Sequence, residues 1–445
     1  MERNMSSATP TRPTAFHIMT KPSGPLCNID CKYCFYLEKS KLFPDEKHWR
    51  MPDDVLESYI RQYIEAQDTP EIQFAWQGGE PTVLGVEYFE KVVELQAKYA
   101  NGKSIANAFQ TNGTLLNDAW GEFLHRNNVL VGLSIDGPQA IHDAYRVDKQ
   151  GKPTFHKVMR GMDILKKHRV EFNTLTCVNR KNATQALEVY RFLRKEGSGH
   201  MQFIPIVERR AQGCESNELA LVLPNAPMEA KVTPWSVRPD EFGQFMCAIF
   251  DEWVRYDVGK VFVQTFEVSL MAWMGLEPNL CIFQKECGLG LALEHNGDLY
   301  SCDHFVYPEH QLGNIMEKSI AEMVTAPQQQ KFGKNKFETL PKYCLDCDVR
   351  FICNGDCPKH RFTQTPDGEE GLSYLCAGYK TFFHHIDPYM KVMARELRAG
   401  RPATAIMAYA RQQDLAAAGQ KTPGPNDPCS CGSSKKYKKC CGRAR

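Results

Sequence analysis

From about residue 15 to residue 207, short apolar runs alternate with longer amphipathic stretches. The runs AFHIM near Phe16, EIQFAW near Phe74, ANAFQ near Phe109, VLVGLSI near Leu133, FNTLTCV near Leu175 and HMQFIPI near Phe203 predict six strands. Between them, segments such as DDVLESYIRQYIEA carry apolar residues three and four apart, which predicts helix. Asp53 or Asp54 is the expected N-cap of that helix, with Pro52 ahead of it. Such alternation implies right-handed crossovers and a parallel sheet. Six units suit an α/β fold of the partial (β/α)6 barrel type, whose functional loops lie at the carboxyl ends of the strands.

Residues 208–238 show no clean period and read as an irregular insertion. A helical pattern returns in GQFMCAIFDEWVRYDV, and cysteines then recur densely from Cys281 to Cys376. A helical stretch near residues 381–400 and an Ala/Gln/Gly/Pro-rich linker lead to a basic tail. The expected organisation is a barrel over 15–240, a small cysteine-rich domain with connecting helices over 241–390, a helix and linker over 391–423, and a short module over 424–445.

The chain has 445 residues, 42% of them hydrophobic, enough for two or three domains. A net charge of +1 gives no global field toward nucleic acid or a membrane surface. The opening MERNMSSATPTRPT lacks the apolar run of a signal peptide, and no stretch reaches transmembrane length, so a cytoplasmic location is expected. In that setting the eighteen cysteines point to metal rather than disulfides.

Three of them, Cys27, Cys31 and Cys34, stand as C-x3-C-x2-C in CNIDCKYCFY, with Tyr33 before the third. Three thiolates fill three corners of a [4Fe–4S] cluster and leave one iron open to a substrate, whereas electron-transfer clusters use four cysteines. A zinc knuckle is the alternative, but zinc sites close with four ligands and no fourth lies nearby. In spacing and aromatic insertion the loop resembles that of the radical S-adenosylmethionine (SAM) enzymes. QGGEP, from Gln77 to Pro81, follows the second predicted strand, as a backbone approach to an amino-acid moiety would require. LSIDGP sets Ser134 and Asp136 at a strand end, where helix capping and ligand contact are both open readings.

The C-terminal half holds Cys281, Cys287 and Cys302, then Cys344, Cys347, Cys353 and Cys357 as C-x2-C-x5-C-x3-C, then Cys376. Eight thiols make two four-ligand sites, either zinc ribbons or iron–sulfur clusters, and spacing does not fix which thiols share a site. The stretch from Cys287 through Gly297 to Cys302 resembles the SPASM auxiliary-cluster domain.

Over residues 15–390 the chain resembles the anaerobic sulfatase-maturating enzymes, through CKYCFY, FAWQGGEPT, QTNGTLL, VGLSIDGP, GDLYSCDHFV, LGNI and CNGDCPK. The resemblance implies oxidation of one Cys or Ser of a nascent sulfatase to Cα-formylglycine, through a 5′-deoxyadenosyl radical that takes hydrogen from Cβ. It implies three [4Fe–4S] clusters: one on Cys27, Cys31 and Cys34, one on Cys281, Cys287, Cys302 and Cys357, and one on Cys344, Cys347, Cys353 and Cys376. It further implies SAM contacts at Tyr33, Gly79, Ser134, Arg146 and Val207, a proton acceptor at Asp303, and substrate contacts at Tyr36 and Gln77. Flavodoxin or ferredoxin would supply electrons. A radical SAM peptide maturase forming thioether or carbon–carbon crosslinks would share the same cluster ligands. A non-catalytic iron–sulfur or zinc protein is the alternative from another class.

The tail PGPNDPCSCGSSKKYKKCCG resembles the SEC-C motif, with Cys429, Cys431, Cys440 and Cys441 as a closed set for structural zinc. Lys435, Lys436, Lys438 and Lys439 give it a basic face. Docking to a secretion chaperone or ribosome is one reading, and a solvated loop stapled by zinc is the other. Cys177, Cys214 and Cys247 are expected to be core or surface thiols.

Overall fold

The computed structural model describes residues 15–213, 219–226, 229–417, 424–429 and 435–439. Six parallel strands form where the apolar runs stand: β1 (His17–Thr20), β2 (Glu71–Trp76), β3 (Ser104–Thr111), β4 (Leu130–Ser134), β5 (Phe172–Val178) and β6 (His200–Pro205). Helices α1 (Asp53–Glu65), α2 (Val86–Tyr99), α3 (Asp118–Arg126), α4 (Gln139–Tyr145), α5 (Phe155–Lys167) and α6 (Ala186–Glu196) connect them. α1 buries Val55, Leu56, Tyr59, Ile60, Tyr63 and Ile64, the stripe that its period dictates. Its N-cap is Pro52, not Asp53 or Asp54; both aspartates occupy the first turn, where their charge faces the positive end of the helix dipole.

An aromatic layer joins these helices to the sheet. The ring of Phe74 stacks on that of Trp76 at 5.8 Å, and Phe89 meets Phe109 at 4.9 Å and Trp120 at 5.7 Å. Each such side chain contributes about 1.5–3 kcal/mol on burial.

The insertion contains a small antiparallel pair, β7 (Arg209–Ala211) and β8 (Ala230–Val232). After α7 (Pro239–Tyr256), the short β9 (Phe262–Val263) extends the sheet beyond β6, and α8 (Gln264–Trp273) follows. On the other edge, β10 (Gly290–Leu293) runs parallel to β1. β11 (Asp298–Tyr300) and β12 (Gln311–Asn314) then continue antiparallel. The result is one open ten-stranded sheet, ordered β12-β11-β10-β1-β2-β3-β4-β5-β6-β9. The cysteine-rich span therefore shares the barrel's sheet. A long helix, Cys376–Arg398, packs its apolar face on α7. No described helix is long and apolar enough to cross a membrane.

Candidate active site

Parallel strands bring their carboxyl ends to one edge of the sheet, so residues far apart in sequence meet there. Lys21 follows β1, Gln77 follows β2, Asn112 follows β3, Ser134 ends β4, Val207 lies just beyond β6, and Glu294 follows β10. Cys27, Cys31 and Cys34 stand on the loop after β1. Backbone bonds fix that loop: Gly79 N–H donates to Gly24 O at 2.8 Å, and Glu80 N–H to Leu26 O at 2.8 Å. A Cβ at position 79 would sit 2.0 Å from Leu26 O, so only glycine permits this approach. Glu80 is buried beneath, and its carboxylate accepts from Thr82 N, Thr82 Oγ1, Thr111 Oγ1 and Asn112 N. The sequence reading gave Glu80 no role, and it is the knot joining the loops after β2 and β3.

Burial is the main cause that raises all three loop thiols, and Cys27 is pushed up to about 12. N–H donors already face two of them: Asn112 Nδ2 lies 3.8 Å from Cys27 Sγ, and Arg146 Nη1 lies 3.9 Å from Cys31 Sγ. Buried thiols that resist ionisation alone, with donors aimed at sulfur, suit an iron cluster whose charge stabilises the thiolates. The donor set fits.

Asp136 neither caps α4 nor stands open. Its carboxylate pairs with Arg146 Nε at 3.1 Å, and Tyr33 Oη donates to it at 2.6 Å. Arg146 Nη2 also lies 3.7 Å from Cys177 Sγ, so this thiol borders the site rather than serving only the core. Ser134 and Val207 are buried at their strand ends.

Asp303 opens a short 3-10 turn immediately after Cys302 and is paired through Oδ1 with the buried Lys21 ammonium. Burial opposes its charge, but Lys21, the largest favourable influence, holds the carboxyl below its ordinary range. The Lys21 ammonium lies 4.5 Å from the Tyr36 ring centroid, and Tyr36 Oη donates to Glu294 Oε1. Gln77 contacts Met19 Sδ through Nε2 at 2.6 Å. Lys21 and Glu294 escaped the sequence reading because a single charged residue beyond a strand has no spacing signal. Their position one step past two apolar runs was the available clue.

Among the described residues no three or more His, Cys, Asp or Glu side chains are gathered as a metal site, and the later thiols are related here through the charges that raise one another. Cys302 feels Cys357 and Cys281, Cys287 feels Cys281, and Cys357 feels Cys281. Separately, Cys353 feels Cys376 and Cys344, while Cys376 feels Cys344 and Cys347. Cys344, Cys347, Cys353 and Cys376 also line one small cavity. Two buried cations brace the loops: Lys336 Nζ donates to Cys281 O at 2.8 Å, and the Arg361 guanidinium donates to the carbonyls of Gly355, Asn354 and Asp356 at 2.8–3.1 Å. In the tail, Cys429 is buried and described, whereas Cys431, Cys440 and Cys441 lie outside the described residues.

Comparison with known proteins matches the Radical SAM superfamily over residues 22–193, the SPASM iron–sulfur cluster-binding domain over 286–348, and the SEC-C motif over 426–443. A serine-type anaerobic sulfatase-maturating enzyme of Bacteroides thetaiotaomicron is 47% identical over 391 residues, which cover 88% of this chain and 94% of the relative. The chain belongs to the anaerobic sulfatase-maturating enzymes. A cysteine-type sulfatase-maturating enzyme of Clostridium perfringens is 32% identical over 389 residues, 86% of this chain and 99% of the relative. The solved structure of native anSMEcpe with bound AdoMet and Cp18Cys peptide superposes with a TM-score of 0.74 at 31% identity, covering 86% of this chain and 100% of that one. Streptococcus suis SuiB bound to precursor peptide SuiA, at 14% identity and a TM-score of 0.54, shares the fold alone. This sulfatase-maturating enzyme is thus a radical SAM protein with iron–sulfur chemistry.

Proposed function

We propose that the chain oxidises Cβ of one serine or cysteine in an unfolded or nascent sulfatase to Cα-formylglycine, with SAM as co-substrate. The observation that carries this reading is the position of Asp303: a buried, ionised carboxylate beside Cys302 and paired with Lys21, the residue that follows β1. Identity to both serine-type and cysteine-type enzymes, higher for the former, supports serine as an accepted target.

In this reading Cys27, Cys31 and Cys34 would hold the SAM cluster. When bound and reduced by flavodoxin or ferredoxin, it supplies the reductive cleavage of SAM that removes one hydrogen atom from Cβ. Arg146 and Tyr33, fixed by Asp136, line the nucleotide with Ser134 and Val207. Gly79, whose N–H is spent on Gly24 O, would contact SAM beside them. Tyr36 and Gln77 orient the peptide. Asp303 accepts the Oγ or Sγ proton as the C=O or C=S bond forms, and an auxiliary iron–sulfur cluster, when bound, would supply the acceptor for the remaining electron. For cysteine, water then replaces sulfur and releases sulfide.

Cys281, Cys287, Cys302 and Cys357 would hold one auxiliary [4Fe–4S] cluster, and Cys344, Cys347, Cys353 and Cys376 the other, in line with the thiols that raise one another. Zinc on Cys429, Cys431, Cys440 and Cys441 would staple the tail, which would dock a secretion chaperone or ribosome.

The test is anaerobic incubation with SAM and peptides carrying Ser or Cys in a C/S-x-P/A-x-R context, read by mass spectrometry. Aldehyde is expected, whereas a thioether product would replace this reading with the crosslinking one. Asp303→Asn should keep its iron yet lose aldehyde formation by about 100-fold or more. Full aldehyde yield from that variant would remove Asp303 from the mechanism.

A further inference from the structure

The register Thr20↔Leu293 between β1 and β10 sets Lys21 and Glu294 side by side, each one residue beyond its strand. Lys21 N–H donates to Leu293 O at 2.8 Å, so the lysine backbone is fixed by the sheet itself. Its side chain, 2% exposed, runs to Asp303 Oδ1 and passes over the Tyr36 ring. Tyr36 is held from its other end by Glu294. One ammonium therefore touches both the carboxylate and the aromatic ring that the reading above places against the peptide.

Asp303 opens a three-residue turn, and the ion-pair partner of its Oδ1 is the Lys21 ammonium. The Asp303 side chain keeps 11% of its surface, so a substrate atom can still reach it. A partner that grips Oδ1 sets the plane of the group and with it the direction in which the carboxylate meets a proton donor. We infer that Lys21 is a positioning residue that aims the Asp303 carboxylate at the target hydroxyl or thiol and fixes its spacing from Tyr36. The inference rests on Asp303 being the proton acceptor. Its consequence is specific: without Lys21, hydrogen-atom removal continues while the proton is left poorly placed, so SAM cleavage and aldehyde formation part company.

The experiment uses full-length, anaerobically reconstituted enzyme with SAM, dithionite and the Ser peptide, and follows 5′-deoxyadenosine and aldehyde together. Lys21→Met should lower aldehyde about tenfold or more, while 5′-deoxyadenosine and peptide KM change by about threefold or less. Lys21→Arg, which keeps a buried cation, should recover part of the aldehyde yield. A wild-type ratio of aldehyde to 5′-deoxyadenosine in Lys21→Met overturns the inference, as does equal loss of both products. Should Lys21→Met fail to bind iron, Lys21→Met/Asp303→Asn decides, since it removes both buried charges. Yields equal to those of Asp303→Asn alone support action through Asp303, and a further loss overturns it. Full aldehyde from Asp303→Asn removes the acceptor reading instead, so the two failures are distinct.

Discussion

Lys39 shows what a single buried charge costs in this site. It is 1% exposed, its ammonium lies 3.4 Å from the Tyr307 ring centroid, and it has no hydrogen-bond partner among the described residues. Burial lowers it to about 8, against 10.5 for the free group. A lysine depressed in the folded state destabilises that state most below pH 8, where both folded and unfolded chains carry the charge. The penalty fades as pH rises from 8 toward 10.5, where the folded chain no longer carries the charge and the unfolded chain is losing it. Lys39→Met is therefore expected to stabilise the fold at pH 7 by up to about 3 kcal/mol. That gain should shrink across pH 8–10.5 in denaturant titrations. A pH-independent difference would show that the cation–π contact offsets the desolvation. The sequence could not reveal this lysine, because its isolation depends on Tyr307, which arrives from the far edge of the sheet.

Among the elements, β1 to β6 were legible because four or more residues with apolar character leave a pattern. β9, of two residues, and β11, of three, are too short to show a period, and their joining to the barrel sheet is a long-range pairing. The three-thiol loop shows in the spacing, since Cys27, Cys31 and Cys34 lie within eight residues on the segment after β1. How the later thiols pair does not, because Cys281 and Cys357 are 76 residues apart in sequence. Arg361 braces the Cys357 loop: its guanidinium satisfies carbonyls at Gly355, Asn354 and Asp356. Each orphaned carbonyl costs about 1–3 kcal/mol when buried. Arg361→Ala is expected to lose auxiliary iron while keeping the N-terminal cluster. Iron content should fall by about two thirds, with SAM cleavage retained. Wild-type iron content would show that thiolate ligation alone shapes these loops.

At the scale of the whole molecule, catalysis and tail are expected to be separable. The helix Ile406–Ala417 is anchored to α7 by the bidentate pair Arg255–Asp414 at 2.8 Å, and Arg411 Nη1 donates to Arg255 O at 2.7 Å. Beyond it, the tail touches this helix through the Gln412–Tyr437 contact at 3.3 Å. The tail's basic face, including Lys435, Lys436, Lys438 and Lys439, belongs to a different sequence family from the barrel, the SEC-C motif. Among the described residues, loss of 424–445 removes the Gln412–Tyr437 contact and none of the sheet-edge residues around Asp303. Turnover of the Ser peptide is expected to stay within about twofold of the full chain, because a half-buried polar contact far from Asp303 contributes about 1 kcal/mol. Modification of a full-length unfolded sulfatase should fall more, and added salt should narrow the gap as the lysine contribution is screened. Equal loss on peptide and full-length substrate would place the tail in the support of the fold rather than in docking.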